Sequence, residues 1–299
     1  MDLISNAAES MSTKTSDLEK PSKGVQDTSY DIVYFRSFTD IPNAGKISEM
    51  LGAESIVKRN YPEGLDLIKP MIPYFEARYK SADALIKANG ITQVVEFAAG
   101  RTPRGINNPQ WHFIHTDYDT LALSQMSGIA DALMKGRRRP VFSKLNAITG
   151  EGIEDIIGTL RKGPVAVTHE GLFSYYPPEY RAKVAGNVKK VLEARGGIYI
   201  TPDLNSNEML NEFQKITDFA AVQKRRQENT GRDLDAFRFE STEAAIRFME
   251  QLGFDVEVHN MGDLFYHLAS VDALFKEEEE NRKILNVYEN FKILKMKLR

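Results

Sequence analysis

Residues 94–105 read VVEFAAGRTPRG. An apolar pair, Val94-Val95, runs into an acid, Glu96, and then into the small-residue turn Ala98-Ala99-Gly100. A strand that ends in such a turn lets backbone approach a ligand closely. A second apolar run, WHFIHTDYD, ends in Asp117, followed by Tyr118 and Asp119. An acid after the second strand can accept hydrogen bonds from both hydroxyls of a ribose. Asp119 lies two residues on and reads equally well as the N-cap of the next helix. A third run, VAVTHEGLFSYYPPEY, carries His169, Glu170 and Tyr175 just past another apolar strand. Glu170 at that strand end could face a cofactor's amine or ribose, act as a base, or cap the following turn.

The glycine spacing separates one nucleoside ligand from others. A dinucleotide fingerprint needs G-x-G-x-x-G, and the corresponding positions hold Ala98, Gly100 and Pro103. Proline has no N–H and a fixed φ, so it suits a phosphate-cradling helix start poorly. Gly100 and Gly105 have the outer spacing of a P-loop, but Ile106 and Asn107 stand where Lys-Ser/Thr is required. With no phosphate cradle, a phosphate-free nucleoside fits better, and S-adenosyl-L-methionine is the common one. The rival readings are an NAD(P)-dependent oxidoreductase and a binding or scaffold protein without turnover.

These residues need an open sheet to hold them together. Strands are expected at Gln93–Phe97, His112–Thr116, Val141–Lys144, Val165–Thr168 and Gly197–Thr201, with Phe254–His259 and Phe291–Leu298 as a sixth and seventh. Helices are expected at Leu121–Lys135, Ile153–Leu160 and Pro178–Arg195, then Asn207–Arg226 and Ser241–Leu252. This alternation implies a mostly parallel sheet with helices on both faces. Ligands of such sheets lie beyond the carboxyl ends of the strands. Glu96–Gly100, Asp117, Asn146 and His169-Glu170 would all gather there. Residues 1–28 are polar and read as a flexible tail. Residues 29–90 read as a helical cap, with a helix capped by Asp40 and ended by Gly52, and another over Leu65–Ala88 broken near Pro70 and Pro73. Residues 91–299 form the Rossmann-like core, with a helical insertion around 205–240 that would roof the pocket.

Composition narrows the chemistry. At 299 residues and 42% hydrophobic content the chain can bury a large core. A net charge of −3 gives no electrostatic footprint for nucleic acid. With no cysteine, thiolate nucleophiles, thiolate metal sites and disulfides are excluded. The five histidines form no H-E-x-x-H pair, so no metal site is expected. No apolar run approaches a membrane span and no signal-peptide core opens the sequence, so a cytoplasmic protein is expected.

Together the motifs resemble the leucine carboxyl methyltransferase family, in particular its bacterial polyketide-type O-methyltransferase branch, from roughly Tyr30 to the C-terminus. EARYKSADALI is similar to the family's A-R-T-x-x-x-D element at Arg78 and Asp83. VVEFAAGRTPRG is similar to its cofactor turn. THEGLFSYYPPE is similar to its E-G-x-x-x-Y-L-x-x-E element at Glu170, Gly171, Tyr175 and Glu179. FRSFTDIPNAGKI resembles the leading helices of the bacterial branch.

The resemblance implies a class I S-adenosylmethionine-dependent methyltransferase fold with a seven-stranded, mostly parallel sheet and an N-terminal helical cap. It implies that Arg78 pairs with the methionine carboxylate of the cofactor, Gly100 passes the methionine part, Asp117 holds the ribose and Glu170 reaches the cofactor amine. It further implies that Tyr175 faces the acceptor. The chain departs from the family pattern at Ala98, where glycine is usual and where alanine is expected to need a negative φ. It departs again at Lys144-Leu145-Asn146, where D-L-R is common, which makes Asn146 the adenine-side residue. Tyr79 replaces the threonine after the arginine. The activity implied is methyl transfer to a carboxylate or hydroxyl of a small molecule. A carboxylate needs no base near neutral pH, whereas a phenol does, and His169 is the expected base in that case. His115 has the same ambiguity at the second strand.

Overall fold

The computed structural model describes residues 23–234 and 236–299. The chain runs α1 (Lys23–Arg36), α2 (Ala44–Leu51), α3 (Ala53–Asn60), α4 (Ile72–Ala88), β1 (Gln93–Glu96), α5 (Arg104–Asn107), β2 (His112–Asp117), α6 (Thr120–Leu133), β3 (Val141–Lys144), α7 (Ile153–Thr159), β4 (Val165–Thr168), α8 (Pro178–Arg195) and β5 (Gly197–Thr201). Then come α9 (Asn207–Gln214), α10 (Phe219–Thr230), α11 (Thr242–Gln251), β6 (Phe254–Asn260), α12 (Ala269–Leu274), α13 (Glu278–Glu289) and β7 (Lys292–Leu298).

The seven strands make one sheet in the order β3-β2-β1-β4-β5-β7-β6. β1 to β5 are parallel, and β7 inserts antiparallel between β5 and β6. This is the sheet the resemblance implies. Alternation along each strand divides the core between its two faces. Val94, Ile198 and Ile200 pack with Ile72, Leu85 and Tyr288 on one face. Val95, Val167 and Tyr199 pack with Val184, Val188 and Leu192 of α8 on the other. Because both faces are covered, the central strands read as continuous apolar runs.

β1 has β2 on one side and β4 on the other, so the chain's crossovers reverse direction at β1. A crevice opens at that point beyond the strand ends. The register Glu96↔His115 and Glu96↔Thr168 brings the ends of β1, β2 and β4 to one level. The loops that follow them therefore face the same space.

The helices before β1 cover that space. α1 begins at Lys23, so residues 23–28, expected as tail, are helical; residues 1–22 of that tail lie outside the described residues. α2 is preceded by Asn43 rather than capped by Asp40, whose carboxylate lies 2.6 Å from Lys80 Nζ. Gly52 ends α2 with φ 61°. Pro73 lies in the first turn of α4, where its missing N–H has no helical partner to lose. The expected helix over Asn207–Arg226 is two helices, α9 and α10, because Asp218 accepts the Ala221 N–H and starts a new one. No helix among the described residues is long and apolar enough to cross a membrane.

Candidate functional site

A cavity of about 240 Å³ lies at the switch point. The turn after β1, the ends of β2, β3 and β4, helix α1 and helices α9 and α10 line it. Of the residues singled out from the sequence, Arg78, Glu96, Ala98, Gly100, Asp117, Tyr118, Asn146, Glu170 and Tyr175 all line this cavity. His169 does not.

The β1 turn is built for close approach. Gly100 has φ 54°, and a Cβ there would lie 3.0 Å from Ser29 Cβ of α1. Its carbonyl is 2.9 Å from His115 Nε2. Burial pushes His115 down to about 4 against that hydrogen bond, so the ring is a neutral structural donor to the turn. Ala98 corrects the expectation of a negative φ: it sits at φ 47°, in the left-handed region. An L-residue there costs roughly 1–2 kcal/mol. Ala98→Gly should relieve that strain. Glycine's larger unfolded-state entropy takes back ~0.4–1 kcal/mol, for a net gain of up to ~1 kcal/mol in stability. Urea unfolding checks this. A variant less stable than the parent would show that the turn is not strained.

Asp117 fixes the same turn. Its Oδ2 accepts the Gly100 N–H at 2.7 Å and its Oδ1 accepts the Asp119 N–H at 2.8 Å. Each carboxylate oxygen can accept a second bond, so the residue holds the turn and still presents acceptors to the cavity. Asp119 accepts the Leu121 N–H and caps α6, as its spacing allowed. Asn146 Oδ1 accepts the N–H groups of Ile148 and Thr149 and shapes the loop after β3.

Behind the turn, three guanidinium groups meet three carboxylates. Arg104 Nε lies 2.7 Å from Asp83 Oδ1 and its Nη1 lies 2.5 Å from Glu96 Oε1, while its Nη2 contacts Glu170 Oε1. Arg36 Nη2 is 2.7 Å and Arg78 Nε 2.9 Å from Glu170 Oε2. The Arg78 guanidinium also lies over the rings of Tyr74 and Phe75. Burial alone would raise the Glu170 carboxyl, but the positive charges of Arg104, Arg36 and Arg78 outweigh it and hold it at about 2. Both Glu170 oxygens are engaged by guanidinium groups, which favour its charged form and leave no oxygen free to face a substrate proton as a base. Glu96 Oε2 is buried and has no hydrogen-bond partner. A cation or N–H donor in the cavity would complete it.

The expected base at His169 is also corrected. The ring is fully buried, with Nδ1 2.9 Å from Asp203 Oδ2 and Nε2 2.5 Å from the Tyr199 hydroxyl. Strand alternation explains this: the residue after Thr168 turns inward between β4 and β5 rather than toward the cavity. Both ring nitrogens are engaged, so His169 positions Asp203. Asp203 in turn accepts the N–H groups of Gly171, Leu172 and Phe173 and fixes the loop that carries Glu170. Tyr175 presents its hydroxyl 3.1 Å from Thr28 Oγ1, which ties that loop to α1.

Sequence reasoning missed Arg36, Arg104, Asp203 and Asp31. Arg36 and Arg104 lie within FRSFTDIPNAGKI and VVEFAAGRTPRG, but at positions to which those stretches assign no role, and Asp31 and Asp203 lie outside every motif. Only the helical repeat Thr28, Asp31, Ile32, Phe35, at i, i+3, i+4 and i+7, could have put Asp31 on a cavity-facing stripe. Among the described residues no group of acids and histidines could hold a metal ion.

No protein-family model matches the chain, and no curated protein matches it. In fold it is similar to a DUF574-family protein from Streptomyces avermitilis, at 13% identity, with 95% of this chain and 99% of that one covered and a TM-score of 0.53. It is also similar to the magnesium protoporphyrin IX methyltransferase of Synechocystis with bound SAH, at 13% identity over 81% of this chain and 92% of that one, TM-score 0.47. A SAM-dependent methyltransferase from Anabaena variabilis is 13% identical over 74% of this chain and 85% of that one, TM-score 0.47. At these identities the likeness is one of fold.

Proposed function

We propose that the chain is an S-adenosylmethionine-dependent O-methyltransferase acting on a carboxylate or hydroxyl of a small molecule. One observation carries the reading. The cavity at the switch point is lined by Arg78, Gly100, Asp117 and Asn146, whose groups could serve the parts of that cofactor. Asp117 offers carboxylate oxygens for the ribose hydroxyls, and the loop at Asn146 borders the adenine side. Gly100 gives close backbone approach. Arg78 offers a guanidinium for the methionine carboxylate. The unpartnered Glu96 Oε2 would accept from the cofactor's amine. Glu170, saturated by arginines, would then act on the amine through the field of the cluster rather than as its direct acceptor.

When bound, the sulfonium supplies the methyl group and the driving force for its transfer. The protein's own task is to align an acceptor oxygen with that methyl and to keep water out. Helices α1, α9 and α10 would do both, since they line the cavity opposite the strand ends.

The test is a screen of small acids, alcohols and phenols with the full chain and methyl-labelled S-adenosylmethionine, read by mass spectrometry. An oxygen-methylated product is expected. Label on nitrogen or carbon would overturn the oxygen assignment. Absence of cofactor binding would overturn the reading as a whole.

A further inference from the structure

Asp31 is a buried acid that the cofactor residues do not use. It is 4% exposed and lines the cavity from α1. Its Oδ1 accepts the Asn60 amide at 2.9 Å, which leaves Oδ2 available to a ligand. The wall around that half of the cavity is apolar and aromatic: Tyr61, Ile68, Met71, Phe213 and Phe219. Phe213 and Phe219 stack with centroids 5.1 Å apart.

We propose that Asp31 accepts the proton of a hydroxyl acceptor, and that the acceptor is a flat, largely apolar phenol or alcohol rather than a carboxylic acid. The proposal rests on the methyltransferase reading above. In the step, an oxygen lone pair forms the new bond to the methyl carbon and the carbon–sulfur bond breaks, its electrons passing to sulfur. The hydroxyl proton passes to Asp31 Oδ2, and S-adenosylhomocysteine leaves neutral at sulfur. A carboxylate acceptor would need no such group and would be repelled by an ionised one.

The surroundings suit a base that works near neutral pH. Burial pushes the Asp31 carboxyl up to about 7, against the Asn60 hydrogen bond. Asp27 on the same helix raises it further, while Arg226 of α10 and Arg59 of α3 lower it. Tyr61, also in the cavity wall, is raised by burial and by Asp31 and stays a neutral phenol. Arg226 also lines the cavity, beside Arg36, Arg78 and Arg101 nearer the strand ends, and offers a cation to an acid acceptor. The probes below decide between the two charges.

Calorimetry tests the proposal without turnover. The full chain is first titrated with S-adenosylhomocysteine, then, loaded with it, with 2-naphthol or 2-naphthoate. Near pH 8, where Asp31 is ionised, 2-naphthol should bind ~10-fold or more tightly than 2-naphthoate, the worth of one charge-assisted hydrogen bond. Near pH 6 Asp31 takes up its proton and the preference should shrink. Asp31→Asn keeps the volume and the Asn60 contact but removes the charge, and should lose most of the preference at pH 8 while S-adenosylhomocysteine affinity is unchanged. A preference for 2-naphthoate, a preference unaltered in Asp31→Asn, or no binding of either probe overturns the proposal alone. No heat with S-adenosylhomocysteine overturns the methyltransferase reading, and this proposal with it.

Discussion

Replacing Arg104 with methionine should lower the stability of the fold by about 3–5 kcal/mol. Arg104 is among the largest fully buried side chains and the centre of the ionic cluster. Methionine fills similar volume, so little cavity is created, and the loss is electrostatic. Glu170 would keep Arg36 and Arg78. Asp83 would keep the Asn108 amide at 3.2 Å. Glu96 would be left with neither oxygen paired, because Oε2 has no partner already. Removing one member of a buried charge network leaves the others desolvated and uncompensated. Adding Glu96→Gln to Arg104→Met should therefore recover part of the loss. Arg104→Lys should recover less than half, since a point charge cannot serve three carboxylates through a planar fork. Urea unfolding of the four proteins measures this. A loss under about 1 kcal/mol for Arg104→Met would show that the cluster contributes little net stability, as some buried ion networks do.

Asp203→Asn should cost about 3 kcal/mol and loosen the loop that carries Glu170. The carboxylate accepts three successive backbone N–H groups at 2.6, 2.7 and 3.1 Å and pairs with His169 Nδ1. An amide keeps one oxygen and turns an NH₂ toward donors, so at least one N–H loses its acceptor. The acid side carries a second signature. Burial raises the Asp203 carboxyl, but the His169 hydrogen bond, Arg78 and the Gly171 N–H outweigh it and hold it at about 2. A carboxyl held below its unfolded value of about 4 stabilises the fold fully above that value and loses the contribution as pH falls toward 2. The parent should thus lose ~2 kcal/mol more than Asp203→Asn between pH 4 and pH 2. Equal slopes for the two proteins would remove Asp203 from the set of native-state anions.

The central strands and α8 were readable because their signals are local. Val165–Thr168 and Gly197–Thr201 are short apolar runs, and Pro178 opens a helix that Gly196 ends. α1 was hidden because it mixes an aromatic, β-branched run, YDIVYF, with polar residues that face a cavity instead of solvent. In α13, Glu277 is the residue before the helix and Glu278–Glu280 fill its first turn, where acids suit the helix dipole, while Ile284, Val287 and Tyr288 make its buried face. The small residues of the turn after β1 were readable because a turn imposes its own residue types, although the left-handed conformation of Ala98 was not. The ionic cluster was not. Arg36, Asp83, Arg104 and Glu170 are tens of residues apart and meet only through the fold. His169 was misread for a related reason: its neighbour Glu170 faces the cavity, and adjacent residues at a strand end face opposite ways.

The measurement that bears most directly on the proposed activity is a calorimetric titration of the full chain with S-adenosylhomocysteine, with NAD as the control ligand, repeated on Arg78→Lys. The parent should bind S-adenosylhomocysteine with micromolar affinity, and unfolding at 100 times the Kd should be harder by ~2.7 kcal/mol. NAD should give no heat. Arg78→Lys should bind the cofactor product ~10-fold or more weakly, because a lysine cannot make the fork contact with a carboxylate. No heat and no stabilisation at millimolar S-adenosylhomocysteine, or tighter binding of NAD, would contradict the assignment of this cavity to S-adenosylmethionine.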